Sequence, residues 1–205
     1  MAERPPDFRL SPDFAEALAF AAALHAGQSR KAGNVPYISH LMSACALVLE
    51  AGGSEDEAIA ALLHDALEDQ GPATGGAVKL AERIARRFGP TVLHIVEACT
   101  DSMTNPKPPW HARKETFIHR LETESESVCL VVAADKLHNA KTILRDLRTK
   151  GPAAWAIFSV PQVDSQWYYK TLAEVLLRRL PTRGRFLALD LDRTVKEFER
   201  VGAPD

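Results

Sequence analysis

Leu62-Leu63-His64-Asp65-Ala66-Leu67-Glu68-Asp69 sets one imidazole and three carboxyls into a leucine-rich run. At 100° per residue, positions 64, 65, 68 and 69 fall within about 140° of one another on a helix and form one polar face. Leu62, Leu63, Ala66 and Leu67 take up the rest of the circumference and read as buried. The stretch is therefore a half-buried helix. Ser54 with Glu57 three residues on is a capping box, so this helix opens there and runs to about Asp69. Gly71, Pro72, Gly75 and Gly76 mark the turn beyond it.

Working outward, the same periodicity recurs. Residues 13–28 carry Phe14, Leu18, Ala21, Ala22 and His25 at helical spacing, and Gly33, Asn34 and Pro36 make a loop of 29–39. A second helix begins near His40 and stops at Gly52-Gly53. On the C-terminal side the pattern predicts helices over 77–88 and 90–101, split at Gly89-Pro90, and another over 110–123 after a proline-bearing loop at 102–109. A long segment over 125–150 starts apolar (128–134) and turns charged, and helices near 165–180 and 186–201 follow, broken at Pro181. No alternating pattern exceeds one short strand. The expected fold is all-α and single-domain, with an extension over 1–12, the main domain over 13–180 and a C-terminal helix within 181–205 packed on it or extending it.

Composition narrows the function classes. The 205 residues carry 25 Lys+Arg against 27 Asp+Glu, a net charge of −2, which argues against nucleic acid held mainly by phosphate neutralisation. The longest apolar run, 17–24, has 8 residues, where a membrane span needs about 20. The start, 1–13, is polar and proline-bearing and does not read as a secretory signal. Cys45, Cys99 and Cys129 fit neither a disulfide framework nor a zinc-finger spacing and read as reduced, buried thiols. The expected location is the cytoplasm. The Arg178, Arg179, Arg183 and Arg185 cluster reads either as a phosphate or partner patch or, the commoner case, as solvated helix-end charge offset by Asp190 and Asp192.

An imidazole and three carboxyls on one face of an apolar helix are costly unless solvent or a cation compensates them. A solvated acidic face is one reading; a divalent metal held by His64 and Asp65 is the other. His40, in Tyr37-Ile38-Ser39-His40, is a capping or core histidine by itself, or a further ligand. Asp135 ends the buried run 128–134, where a carboxylate needs a partner. Together the four residues offer two imidazoles and two carboxylates.

This set resembles the H…HD…D pattern of HD phosphohydrolases. The wider match is to the hydrolase domain of the Rel/Spo family. It is carried by His25-x-x-Gln28-x-Arg30-Lys31-x-Gly33-x-x-Pro36-Tyr37-Ile38-x-His40, by His64-Asp65-x-x-Glu68-Asp69, and by Ala134-Asp135-x-Leu137-His138-Asn139-x-x-Thr142. The resemblance covers about 13–180 and implies an HD-type helical bundle with a metal at its centre. It also implies removal of the 3′-diphosphate from the alarmones ppGpp and pppGpp with Mn²⁺, Fe²⁺ and Zn²⁺ being the other candidates. It makes His40, His64, Asp65 and Asp135 the metal ligands and Glu68 and Asp69 the carboxylates that position and activate water. Arg30, Lys31, Asn139 and Thr142 become nucleotide contacts, as do Tyr168 (with Tyr169 nearly as good a match) and Lys114, a weaker phosphate contact. His25 and His138 are expected to brace the loop and helix. Leu41 and Lys136 depart from the Pro and Arg usual in the family. NADPH 2′-phosphatase activity, another nucleotide phosphohydrolase, or a nucleotide sensor without catalysis remain alternatives, and oligomeric state is open, a homodimer included.

Overall fold

The computed structural model describes residues 9–31, 33–103 and 106–201, so most of the expected 1–12 extension and part of the 102–109 loop lie outside the described residues. In chain order the elements are α1 (Pro12–Leu24), α2 (Ile38–Glu50), α3 (Glu55–Leu63), a π turn (Ala66–Gln70) and a 3-10 turn (Pro72–Thr74). Then come α4 (Ala77–Cys99), α5 (Trp110–Leu121), α6 (Glu126–Lys150), a second 3-10 turn (Gly151–Ile157), α7 (Gln162–Arg179) and α8 (Arg185–Val201). Among the described residues no strand forms; the only pairing is an isolated bridge between Ser29 and Pro36 that closes the α1–α2 loop. The fold is all-α.

Local chemistry sets the helix starts. Ser11 accepts from the Asp13 amide ahead of Pro12, the Ser54–Glu57 capping box opens α3, and Ser125 accepts from the Val128 amide at the head of α6. Inside α4, Gly89 takes φ 87°, a left-handed conformation that glycine adopts without strain, and Pro90 follows. The two helices expected on either side of Gly89-Pro90 are thus two limbs of one kinked element.

α6 is the axis of the molecule. Residues 128–134 are closed to solvent, and α2, α3, α4, α7 and α8 all pack on this helix. Truncating one of its buried leucines, Leu130 or Leu137, removes packing typically worth about 2–5 kcal/mol. Leu187, Ala188, Leu191, Val195 and Phe198 recur at helical spacing on α8 and are buried against α6 and α7, so the C-terminal helix shares the main core.

Four expectations need correction. The first helix ends at Leu24, because the chain turns at His25, whose amide still donates to Ala21 O while the Gln28 amide donates to His25 O. The second starts at Ile38, two residues early. The third matters most. The α-helix stops at Leu63, His64 and Asp65 form a junction, and 66–70 continue as a π turn. A π turn advances fewer degrees per residue, so Glu68 and Asp69 do not stack over His64 and Asp65 as a straight α-helix would place them. The arginine cluster is also offset differently: Arg178 pairs with Glu122, Arg183 with Glu57 and Glu126, and Arg179 donates to Glu124 O. Asp190 and Asp192 pair with Arg193 and Lys196 instead.

Candidate active site

The packing of α2, α3 and α6 on one another brings four distant residues together. His40 comes from the first turn of α2 and is fully buried, His64 and Asp65 lie at the α-to-π junction, and Asp135 ends the buried run on α6. His40 Nε2 is 3.1 Å from Asp135 Oδ1 and 3.6 Å from Asp65 Oδ2. His64 Nε2 is 3.0 Å from Asp65 Oδ2 and 3.5 Å from Asp135 Oδ1. The imidazole planes meet edge to face, with centroids 5.1 Å apart.

Hydrogen bonds orient both rings. His64 Nδ1 lies 2.8 Å from Ala61 O, which can only accept, so Nδ1 carries a proton and Nε2 is the ring nitrogen turned toward the carboxylates. His40 Nδ1 lies 2.8 Å from His138 Nδ1 and shares one proton with it. Both Nε2 atoms are buried and have no hydrogen-bond partner. Donor atoms held about 2.1 Å from one ion stand roughly 3 Å apart across a right angle, which the four N–O separations approach. His40, His64 and Asp65 each bring one donor atom within 4.8 Å of the others, with Asp135 beside them, and two imidazoles with carboxylates are a donor set that fits a divalent cation.

The surrounding charges are tuned by these neighbours. Burial raises Asp65 and Asp135, but adjacent cations outweigh it: His64 beside Asp65, and Lys136 then His64 beside Asp135, hold both carboxyls below their usual range. Burial lowers His64, yet the charges of Asp65 and Asp135 lift it well above an ordinary histidine, whereas burial wins at His40 and lowers it. His138 is pushed down to about 4 by burial and then by His40 and Arg30. Tyr37 donates to Asp65 Oδ2 at 2.6 Å, and Lys136 Nζ contacts Asp135 Oδ2 at 2.6 Å.

Beside this cluster opens a cleft of about 320 Å³. Arg30, Lys31, Asn139 and Thr142 line it, together with Asp65 and Asp135. Arg30 Nη2 donates to Asn139 Oδ1 at 2.7 Å, and Asn139 Nδ2 donates to Asp135 Oδ1 at 2.6 Å, so the loop is tied to α6 through the aspartate. Thr142 Oγ1 donates back to His138 O. Tyr169 lines this cleft, while Tyr168 lines a smaller adjoining hollow with Lys31, Lys114 and Lys136. The Tyr168 hydroxyl is buried without a partner beneath Lys114, whose Nζ is 4.9 Å from the Tyr168 ring and 2.6 Å from Asp101 Oδ2.

Glu68 and Asp69 sit on the π turn with partners of their own. Lys107 Nζ contacts Glu68 Oε1 at 2.5 Å, and Gln28 Nε2 donates to Asp69 Oδ2 at 2.7 Å. Burial, then the charge of Asp65, raises the Asp69 carboxyl. His25 Nδ1 bonds Gln28 Oε1 at 2.7 Å, the bracing role expected of it.

Sequence reasoning gave no role to Tyr37, Lys136 or Asp101, all of which hold a site residue in place. Tyr37 is itself a motif residue and Lys136 stands inside the last motif, so a signal was present. Asp101 carried no such signal, since only folding brings it to Lys114.

Comparison with known proteins shows the family. Residues 17–159 match the HD domain. The guanosine-3′,5′-bis(diphosphate) 3′-pyrophosphohydrolase MESH1 of Xenopus tropicalis is 36% identical over 164 residues, covering 78% of this chain and 81% of that protein. MESH1 of Homo sapiens is 33% identical over the same length. A solved structure described as a metazoan ortholog of SpoT that hydrolyzes ppGpp superposes with a TM-score of 0.70 at 28% identity, covering 93% of this chain and 97% of that one. With the family match spanning most of the chain, and with likeness to MESH1 running through most of both proteins, this chain belongs to the HD-domain family.

Proposed function

We propose that this protein is a divalent-metal-dependent hydrolase that removes the 3′-diphosphate from guanosine alarmones, turning ppGpp or pppGpp into GDP or GTP and pyrophosphate. The observation that carries this is the pair of orphaned, buried Nε2 atoms of His40 and His64 facing Asp65 and Asp135 at the wall of a basic cleft. The names of the MESH1 relatives point to the same reaction. His40, His64, Asp65 and Asp135 would hold the ion, and their two-nitrogen, two-oxygen set suits Mn²⁺, with Fe²⁺ and Zn²⁺ as comparisons. When bound, the ion supplies charge neutralisation at phosphoryl oxygens and lowers the pKa of water.

The chain's own residues do the rest. Asp69, with its raised carboxyl, is suited to take the proton of the attacking water, and Glu68 on the same turn orients that water. The oxygen of water bonds to the 3′ phosphorus, the bond from phosphorus to O3′ breaks, and O3′ is protonated from the aqueous cleft. Arg30 and Lys31 bring positive charge along the nucleotide. Lys114, Lys136 and Tyr168 line the adjoining hollow, a basic recess suited to the outer phosphate. Residues 13–180 form the hydrolase unit in this reading, with α8 braced on it, and a nucleotide substrate together with three free thiols goes with a cytoplasmic location.

Incubating the purified protein with Mn²⁺ and ppGpp tests the reading. GDP and pyrophosphate in equal amounts are expected. No release with any of the three metals overturns it.

A further inference from the structure

One face of α6 carries Asp135, Asn139, Thr142 and Asp146 at spacings of four, three and four residues. The first three belong to the site already described. Asp146 is the fourth residue of that stripe, it also lines the cleft, and nothing in the proposed reaction uses it. Its side chain is 9% exposed, and Oδ2 is buried with no hydrogen-bond partner. The cations nearest to it, Arg145 Nε and Lys150 Nζ, come no closer than 3.8 Å. A buried carboxylate oxygen is ordinarily hydrogen-bonded, so this one awaits a donor.

The cleft floor explains what kind of donor. Arg30, Lys31 and Lys136 suit it to a polyanion. An acid is out of place there unless it meets an uncharged, donor-bearing part of the ligand. Asp146 stands eleven helical steps beyond Asp135, about 16 Å of rise. A phosphate, a ribose and a purine laid end to end, with contact distances added at both ends, fill such a span. Val35, Ile143, Ile157 and Phe158 line the same cleft and supply apolar walls for a flat ring.

We propose that Asp146 is a specificity-determining residue that reads the purine, its carboxylate accepting from the N1–H and 2-amino donors of guanine. The inference rests on the nucleotide-hydrolase reading of the cleft and goes on to decide the base. An ionised carboxylate only accepts hydrogen bonds. Guanine presents two adjacent donors on that edge; adenine presents the N1 lone pair and a C–H, which the carboxylate repels. The adenine nucleotide of an NADPH 2′-phosphatase is thereby disfavoured.

Calorimetric titration with GDP, IDP and ADP tests this without turnover, so its result stands apart from whether ppGpp is hydrolysed. Wild-type protein is expected to bind GDP about 10- to 100-fold more tightly than ADP, the discrimination typical of a good paired contact to a base. IDP, which lacks the 2-amino group, falls between them. Asp146→Asn, nearly isosteric, is expected to weaken GDP while leaving ADP unchanged or improved, because an amide can donate to adenine N1. Equal affinities of the wild-type protein for GDP and ADP overturn the proposal. So does a variant that weakens both nucleotides alike or neither, the pattern of a purely structural aspartate. The IDP arm needs no variant, so the proposal stays testable if Asp146→Asn does not fold.

Discussion

Tyr37→Phe removes one oxygen and isolates one contact of the candidate metal centre. The hydroxyl donates to Asp65 Oδ2, the same oxygen that stands 3.0 Å from His64 Nε2. The ring itself stacks on His25 at 5.2 Å and meets His40 edge-on at 5.6 Å, and phenylalanine keeps both contacts. A hydrogen bond to a charged acceptor is worth about 1.5–3 kcal/mol, and loss of a residue that orients a ligand typically costs about 10- to 100-fold in metal affinity. The two figures agree, since a tenfold change is about 1.4 kcal/mol. Mn²⁺ titration by calorimetry should show at least a tenfold weaker site in the variant. At fixed Mn²⁺ the metal-induced rise in melting temperature should then shrink by about 3–5 °C, because 1.4 kcal/mol moves the midpoint of a domain this size by that much. The comparison is of metal-induced rises, so any change in the metal-free variant cancels. Affinity within twofold of wild type would refute the idea that Tyr37 holds Asp65 as a ligand.

Three further outcomes are expected. His64→Ala and Asp135→Asn should bind no stoichiometric metal by elemental analysis, whereas Glu68→Gln and Asp69→Asn should retain it and lose about 100-fold or more in turnover; full activity in both carboxamide variants removes them from the mechanism. Arg183→Met should destabilise the fold by about 2 kcal/mol in urea unfolding, less than the 3–5 of a fully buried pair because Arg183 is a third exposed; no loss means that Glu57 is satisfied by its other partners. For Glu57 itself, burial raises the carboxyl, but hydrogen bonds from Ser127, Arg183 and the Ser54 amide outweigh it and hold it below its usual range. Its stabilising contribution is therefore complete above the unfolded value of about 4.3 and is lost as pH falls through the folded one. Melting curves of Glu57→Gln and wild type should differ at pH 7 and converge towards pH 3.

The helices were legible because they follow local rules. Ser54 with Glu57, Ser125, and Gly89-Pro90 act within a few residues, and the structure keeps them where the sequence puts them. The grouping of His40, His64, Asp65 and Asp135 came instead from the resemblance to the H…HD…D pattern, with Asp65 and Asp135 also marked as polar groups at the edge of apolar runs, and the structure brings all four side chains together. The π turn was not legible. Residues 62–69 satisfy α-helical periodicity, and the carboxylates of the wider turn meet partners distant in sequence, Gln28 at Asp69 and Lys107 at Glu68, which local pattern does not show. The Arg183–Glu57 pair spans 126 residues and escaped for the same reason, as the sequence offers nearer acids in Asp190 and Asp192.

Asp146 marks the limit between these two cases. Its stripe with Asp135, Asn139 and Thr142 follows from helix geometry alone, so its face was knowable from the sequence. What hid it were Arg145 beside it and Lys150 one turn on, which make it look like an ordinary surface acid in a charged helix end. Only the fold shows that neither cation reaches hydrogen-bonding distance and that Ile157 and Phe158, brought back by the turn after α6, line the same cleft. A residue whose sequence neighbours suggest solvent and whose packing denies it that solvent is the kind that local reading passes over, and it is where ligand recognition can be placed at no cost to the helix that carries it.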